Sequence, residues 1–231
     1  MKRLTLVLVV TALAAAPALA DYYAGTARFS DSYGTLNGGE YIAHPTGFTG
    51  HRLPGTSYPD FETFCIERNE YLDFNKTFHV DIGTAAIGGG TGGGSPDPLH
   101  PQTAWLYCSF VKKTLTGYDY GTGAARISSA NALQAAIWLL ENEITKLSDV
   151  VSGAELTQAQ AFLNLAANAN PQDIGCTRVM NLWHTTQWWN APLINGKYHY
   201  QSLLLCIPAP AAALLGVIGL GLVGWVKRRL S

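Results

Sequence analysis

"SSANALQAAIWLLENE", Ser128 to Glu143, is the stretch on which the fold turns, because it places a helix between two strand-rich halves of the chain. Leu133, Ala136, Ile137 and Leu140 recur at helical spacing, and Ser128 or Ser129 reads as the N-cap. Gln134, Trp138 and Glu141 fall at i, i+4 and i+7 and form a second stripe beside that apolar face. A carboxamide next to so much apolar surface needs a hydrogen-bonding partner from elsewhere in the chain.

Two more helices flank it. Upstream, "PQTAWLYCSFVKKTL" opens with Pro101 in the first turn and predicts one face of Ala104, Tyr107, Cys108, Val111 and Leu115. Downstream, "SGAELTQAQAFLNLAANANP" opens on a capping box from Ser152 to Glu155 and stops at Asn170-Pro171. Before the helices, from Tyr22 to Asp81, short Tyr-, Phe-, Thr- and Ile-containing runs are broken by "NGG", "HPTG", "LPG" and "YPD", the signals of antiparallel strands and turns. "TFCIERNEYLDF", Thr63 to Phe74, reads as a strand pair. The glycine-rich "IGGGTGGGSPDP", Ile87 to Pro98, lacks the Lys-Ser/Thr step or the Rossmann spacing of a phosphate cradle and reads as a flexible connection. After the helices, "TRVMNLWHTTQWWN" and "KYHYQSLLLC" form a closing hairpin through "APLING". Strands, helices, then strands predict an α+β domain: an antiparallel β-sandwich or barrel-like sheet with an inserted bundle of about three helices.

The two ends carry addresses. Lys2 and Arg3, an apolar run from Leu4 to about Ala15 and the small-residue site Ala18-Leu19-Ala20 have the layout of a secretory signal peptide over residues 1–20, cleaved between Ala20 and Asp21. At the other end, Ala211 to Val226 is apolar and is closed by Lys227, Arg228 and Arg229. It approaches the about 20 residues of a spanning helix, with its basic end cytoplasmic. Pro208-Ala209-Pro210, the Gly-rich apolar segment and the terminal Arg pair resemble the PEP-CTERM sorting signal of exported bacterial proteins. That resemblance implies an exosortase-type processing enzyme as a partner, transient anchoring in the inner membrane through the C-terminal helix, and delivery to the cell envelope or extracellular matrix. The Glu usual between those prolines is replaced here by Ala209. The expected organisation is a signal peptide at 1–20, one ectodomain at 21–205 and a sorting tail at 206–231.

Charged residues make up 13% of the chain and the net charge is -1, against about 25% charged in an ordinary soluble protein. No long-range field draws it to nucleic acid. Neither GxSxG nor a carboxylate pair at recognisable spacing argues for a hydrolase, and the acidic residues Glu62, Glu67, Glu70 and Asp73 read as a solvated sheet edge. Among Trp183, Trp188 and Trp189, the alternation makes Leu182 and Trp188 core and leaves one Trp outside, a weak basis for sugar stacking.

Four cysteines, Cys65, Cys108, Cys176 and Cys206, lie in a chain bound for a compartment where disulfides persist. None has CxxC spacing and the histidines are scattered, so neither a metal nor a cofactor is expected. Two disulfides are the plain reading. The sharper one pairs a thiol with the amide of the central helix. "FCIE", Phe64 to Glu67, resembles the cysteine strand of bacterial thioester domains, and "LQAAIW", Leu133 to Trp138, is similar to that family's Thr-Gln-x-Ala-Ile-Trp helix. The resemblance implies Cys65 as sulfur donor and Gln134 as acyl donor of an internal thioester, with Phe64, Ile137 and Trp138 shielding it. It further implies adhesion by covalent attachment to an amine-bearing surface protein or polysaccharide matrix, without enzymatic turnover. Leu133 stands where that family has Thr or Ser. With Cys65 consumed, Cys108 and Cys176 would form a disulfide and Cys206 would be left over. The alternative is a structural or glycan-binding surface protein of the same fold, with Cys65 in a disulfide or buried as a thiol.

Overall fold

The computed structural model describes residues 22–36, 38–48, 59–92 and 94–207. The signal peptide with its Ala20-Asp21 site, and the tail with Pro208, Ala209, Pro210, Lys227, Arg228 and Arg229, lie outside the described residues. Among the described residues no helix is long and apolar enough to cross a membrane.

The elements run β1 (Tyr22–Tyr33), β2 (Glu40–Thr46), β3 (Phe61–Thr63), β4 (Phe78–Gly83), β5 (Ala85–Ala86), β6 (Asp97–Pro98), α1 (Pro101–Val111), α2 (Ala124–Leu140), α3 (Gly153–Ala169), β7 (Thr177–His184), β8 (Leu193–Ile194) and β9 (Lys197–Cys206), with a 3-10 turn at Leu147–Asp149 before α3. The expected α+β class and strand–helix–strand order hold. The main sheet is antiparallel with order β3-β2-β1-β4-β7-β9-β8. It also returns to its starting strand. Past Thr63 the chain leaves β2 and lies against β9, where Leu204 N–H donates to the Phe64 carbonyl at 3.1 Å and Ile66 N–H to the Ser202 carbonyl at 2.9 Å. Cys65 therefore sits opposite Leu203, and the ladder closes.

Alternation along the strands divides the apolar residues between the two faces. Phe29, Ala43, Cys65, Phe78, Met180 and Leu203 belong to a cluster on the inner face. Phe64, Ile66, Val179 and Leu204 face outward onto the helices, packing with Phe110, Leu133 and Ile137. The helices thus cover one side of a wall whose other side is already filled.

Several local expectations change. α2 begins at Ala124, a turn before the serines: Gly123, at φ 85°, starts it without a side-chain cap, a conformation glycine adopts without a Cβ clash. Ser129 is buried inside the helix, where its Oγ accepts from Asp119 N–H at 3.1 Å and Gln158 Nε2 at 2.9 Å. Ser152 is the N-cap of α3 but its side chain makes no cap bond, and Glu155 accepts from Asn131 Nδ2 at 2.9 Å instead. On α1 the buried face is Thr103, Ala104, Leu106, Tyr107 and Phe110. Cys108 is half-buried and Val111 is exposed.

The larger correction concerns the acidic residues and the glycine-rich segment, which belong together. Glu67 is 1% exposed and Glu143 also 1%, so Glu67 is no part of a solvated edge, whereas Glu62 and Asp73 stay partly exposed. Gly90 N–H donates to Glu67 Oε2 at 2.5 Å, and Thr91 and Gly92 N–H groups donate to Glu143 at 2.9 Å. A Cβ at Gly88 would overlap the Glu70 carboxyl, and one at Gly90 those of Glu67 and Glu143. The segment is a backbone cradle for carboxyl groups, fixed by the ligands it wraps.

Candidate functional site

The β2–β3 register, with Tyr41 opposite Thr63, would bring Gly39 opposite Cys65 two residues further along. The Gln134 carboxamide fills that place. Its Oε1 accepts from Gly39 N–H at 3.0 Å and from Cys65 N–H at 3.1 Å, while its Nε2 donates to the Cys65 carbonyl at 2.8 Å. The side chain from α2 is thus inlaid in the sheet wall as a substitute for a strand. It is wholly buried, and its hydrogen-bonding partners are the main chain of Gly39 and Cys65 rather than the Cys65 sulfur.

The Cys65 thiol points the other way, into the inner cluster, which also holds Tyr41. Burial, with a smaller contribution from the Glu70 carboxylate, pushes the thiol pKa well up, and the Tyr41 contact opposes that. Phe64 and Ile137 lie fully buried on the helix side with the stem of Gln134. The predicted residues are therefore brought together around one stretch of wall, with the amide in the wall and the sulfur on its inner face.

Sequence reasoning missed what covers the amide. Asn131, three residues before Gln134 on the same helix face, accepts from Thr35 N–H at 2.8 Å and donates to Thr35 Oγ1 at 2.9 Å, pinning the turn that precedes β2. Gly38 in that turn lies against Trp138: an added Cβ would meet its ring carbons at 2.6 and 2.7 Å and Gln134 Cγ at 3.2 Å. The "NGG" spelling signalled a turn; that it also had to be small for a tryptophan was not legible. Gly38→Ala is expected to destabilise the protein by about 1–3 kcal/mol through overpacking, read as a lowered urea midpoint at unchanged slope.

Elsewhere, Leu182 is fully buried, Trp188 packs 4.1 Å from His184 and 5.7 Å from Tyr200 between ring centroids, and Trp189 is 64% exposed. Trp189 and Tyr71, 4.5 Å apart, border an open cavity of about 350 Å³. Cys108, which was expected to pair with Cys176, stands 3.4 Å from it, and Cys206 stands 2.8 Å from Cys176 on the other side.

Comparison with known proteins brings no match: no family model fits the chain, and no curated protein or solved structure is similar to it.

Proposed function

We propose that the chain is an exported bacterial surface or matrix protein, sorted through its C-terminal tail, which attaches covalently to partner amines through a Cys65–Gln134 thioester. The carrying observation is the setting of Gln134 Oε1, which accepts two backbone N–H groups in a dry niche. Attack on the amide carbon places negative charge on that oxygen, and preorganised donors aimed at it are the usual means of stabilising such an intermediate.

Cys65 Sγ bonds to Gln134 Cδ, the Cδ–Nε2 bond breaks, and ammonia leaves with the thiol proton. This step requires the Cys65 sulfur to leave the inner cluster and turn toward Gln134 Cδ. A partner amine then attacks Cδ, an amide forms, and the sulfur regains a proton. Each chain reacts once. Sorting by the tail, anchoring in the inner membrane and an exosortase-type partner complete the reading and rest on the sequence of the ends. The aromatic pair Tyr71 and Trp189 at the mouth of a cavity suits a polysaccharide setting.

The opposing reading is a structural surface protein in which Gln134 is a permanent latch and Cys65 a core thiol. It is favoured by the three hydrogen bonds that already satisfy the amide and by the inward-pointing sulfur. Intact mass decides between them. A chain lighter by one ammonia, with the loss abolished in Cys65→Ala and Gln134→Glu, supports the thioester, and methylamine then adds one equivalent at Gln134. Full mass with no adduct, from a folded chain, sinks it.

A further inference from the structure

The remaining three cysteines converge from three elements. Cys108 comes from α1, Cys176 immediately precedes β7, and Cys206 ends β9, where it lies opposite Thr177. Cys176 Sγ is 3.4 Å from Cys108 Sγ and 2.8 Å from Cys206 Sγ, and all three sulfurs lie within 4.8 Å of one another. Each is half-buried, and Cys206 opens onto a surface cavity of about 250 Å³ lined also by Asp60, Glu62 and Tyr107. Cys65, on the inner face of the sheet, is not among them.

We propose that Cys108, Cys176 and Cys206 form a thiol–disulfide exchange site, with Cys176 as the shared sulfur, that captures one half of a small or protein-borne disulfide as a mixed disulfide. Parity carries the argument: three sulfurs form one bond, so one thiol always remains beside it. A disulfide donor such as oxidised glutathione or an envelope oxidoreductase makes the first bond and is itself reduced to thiols. The remaining cysteine thiolate then attacks a second donor disulfide, keeps one half as the mixed disulfide and releases the other half as a thiol. In the exchange, the Cys108 thiolate attacks Cys176 Sγ of the Cys176–Cys206 disulfide. The Cys108–Cys176 bond forms, the old one breaks, and Cys206 departs as a thiolate that takes a proton, with no net change of oxidation state.

The surroundings favour a thiolate in the middle, which makes Cys176 the first nucleophile toward the disulfide donor. Burial holds the Cys108 thiol up, and its attack follows loss of its proton. Contacts from Cys206 first, then from Cys108 and the Lys112 ammonium, bring the Cys176 thiol down to about 5 against the resistance of burial. The two connectivities do different mechanical work. Cys176–Cys206 ties the start of β7 to the end of β9, whereas Cys108–Cys176 ties α1 to the sheet and leaves the Cys206 thiol facing its cavity. The site is independent of whether Cys65 and Gln134 condense.

The test equilibrates the full chain in glutathione buffers of graded redox ratio, quenches with acid, alkylates, and maps the cysteine peptides by mass. One disulfide per chain is expected, divided between Cys176–Cys206 and Cys108–Cys176, with the third sulfur carrying glutathione or the alkyl label. Cys108→Ser should leave only Cys176–Cys206, Cys206→Ser only Cys108–Cys176, and each should lose the glutathione adduct. The wild-type map decides alone if a variant is unstable. A single connectivity at every ratio with the third sulfur unmodified would overturn the proposal. So would stoichiometric zinc retained with all three thiols protected from alkylation, which would make this a metal site instead.

Discussion

Stability is expected to fall as the pH rises from about 5 to about 9, because three carboxyls of the folded chain keep their protons over a range in which the unfolded chain has lost them. Three buried acids set the window. Burial, then the neighbouring Glu70 and Glu143, raise Glu67 to about 9; burial raises Glu70 to about 8 and Glu141 to about 7. Each is raised above its unfolded value, so the folded chain keeps a proton that the unfolded chain has lost. The contribution is complete below the ordinary carboxyl range and disappears as the pH climbs through those folded values. His79, His100 and His199, all lowered chiefly by burial, act in the opposite sense below about pH 6.5. The two trends together place the maximum on the acid side of neutrality. Thermal midpoints across buffers check the slope. Glu67→Gln, which keeps an acceptor for Gly90 N–H but cannot ionise, should flatten the profile by about one group's share. A profile that rises above neutrality would show these carboxyls to be solvated.

That cluster marks where the sequence stopped being informative. Helix existence, the closing hairpin and the strand–helix–strand order follow from periodicity and punctuation, which are local properties, and all three hold. Pairing of Gln134 with the Cys65 segment was also legible, through a resemblance carried by two short motifs. Which atoms meet was not. Alternation alone makes Phe64 and Ile66 face the helices and sends the Cys65 side chain to the other surface, but that depends on the chain changing partner from β2 to β9 after Thr63, a long-range event with no local signal. The glycine-rich segment failed for the same reason. Its shape comes from Glu67, Glu70 and Glu143, and no spacing rule reveals that a loop will wrap carboxyl groups instead of phosphate. Ser128, Ser129 and the Ser152–Glu155 box were sound local caps overridden by tertiary partners, Gln158 and Asn131.

Replacing Arg126 by Met is expected to cost about 3–5 kcal/mol, the penalty of stranding a buried charge. Glu40 is 0% exposed and accepts from Arg126 through both oxygens, with Nε at 3.1 Å from Oε2 and Nη2 on Oε1. Tyr118 O–H donates to the same Oε2 at 2.7 Å, Arg126 also reaches Glu62 at 2.8 Å, and its guanidinium lies 4.4 Å from the Tyr33 ring centroid. The methionine retains bulk over that ring but leaves a carboxylate with only two neutral donors, Tyr118 O–H and, at 3.5 Å, Ser32 O–H, in a dry site. Urea unfolding should therefore show a much lower midpoint. Adding Glu40→Gln should recover part of the loss, because the neutral amide still accepts from Tyr118 and no charge is stranded. A loss under about 1 kcal/mol, the range of exposed pairs, would mean that water reaches Glu40. The consequence extends to the candidate site, since Glu40 follows Gly39, whose N–H holds Gln134 Oε1. Loosening the start of β2 withdraws one of the two donors on that oxygen. Under the proposed thioester, the fraction of the Arg126→Met chain lacking ammonia, measured by intact mass on the folded population, should drop, and the Glu40→Gln double variant should restore it in step with stability.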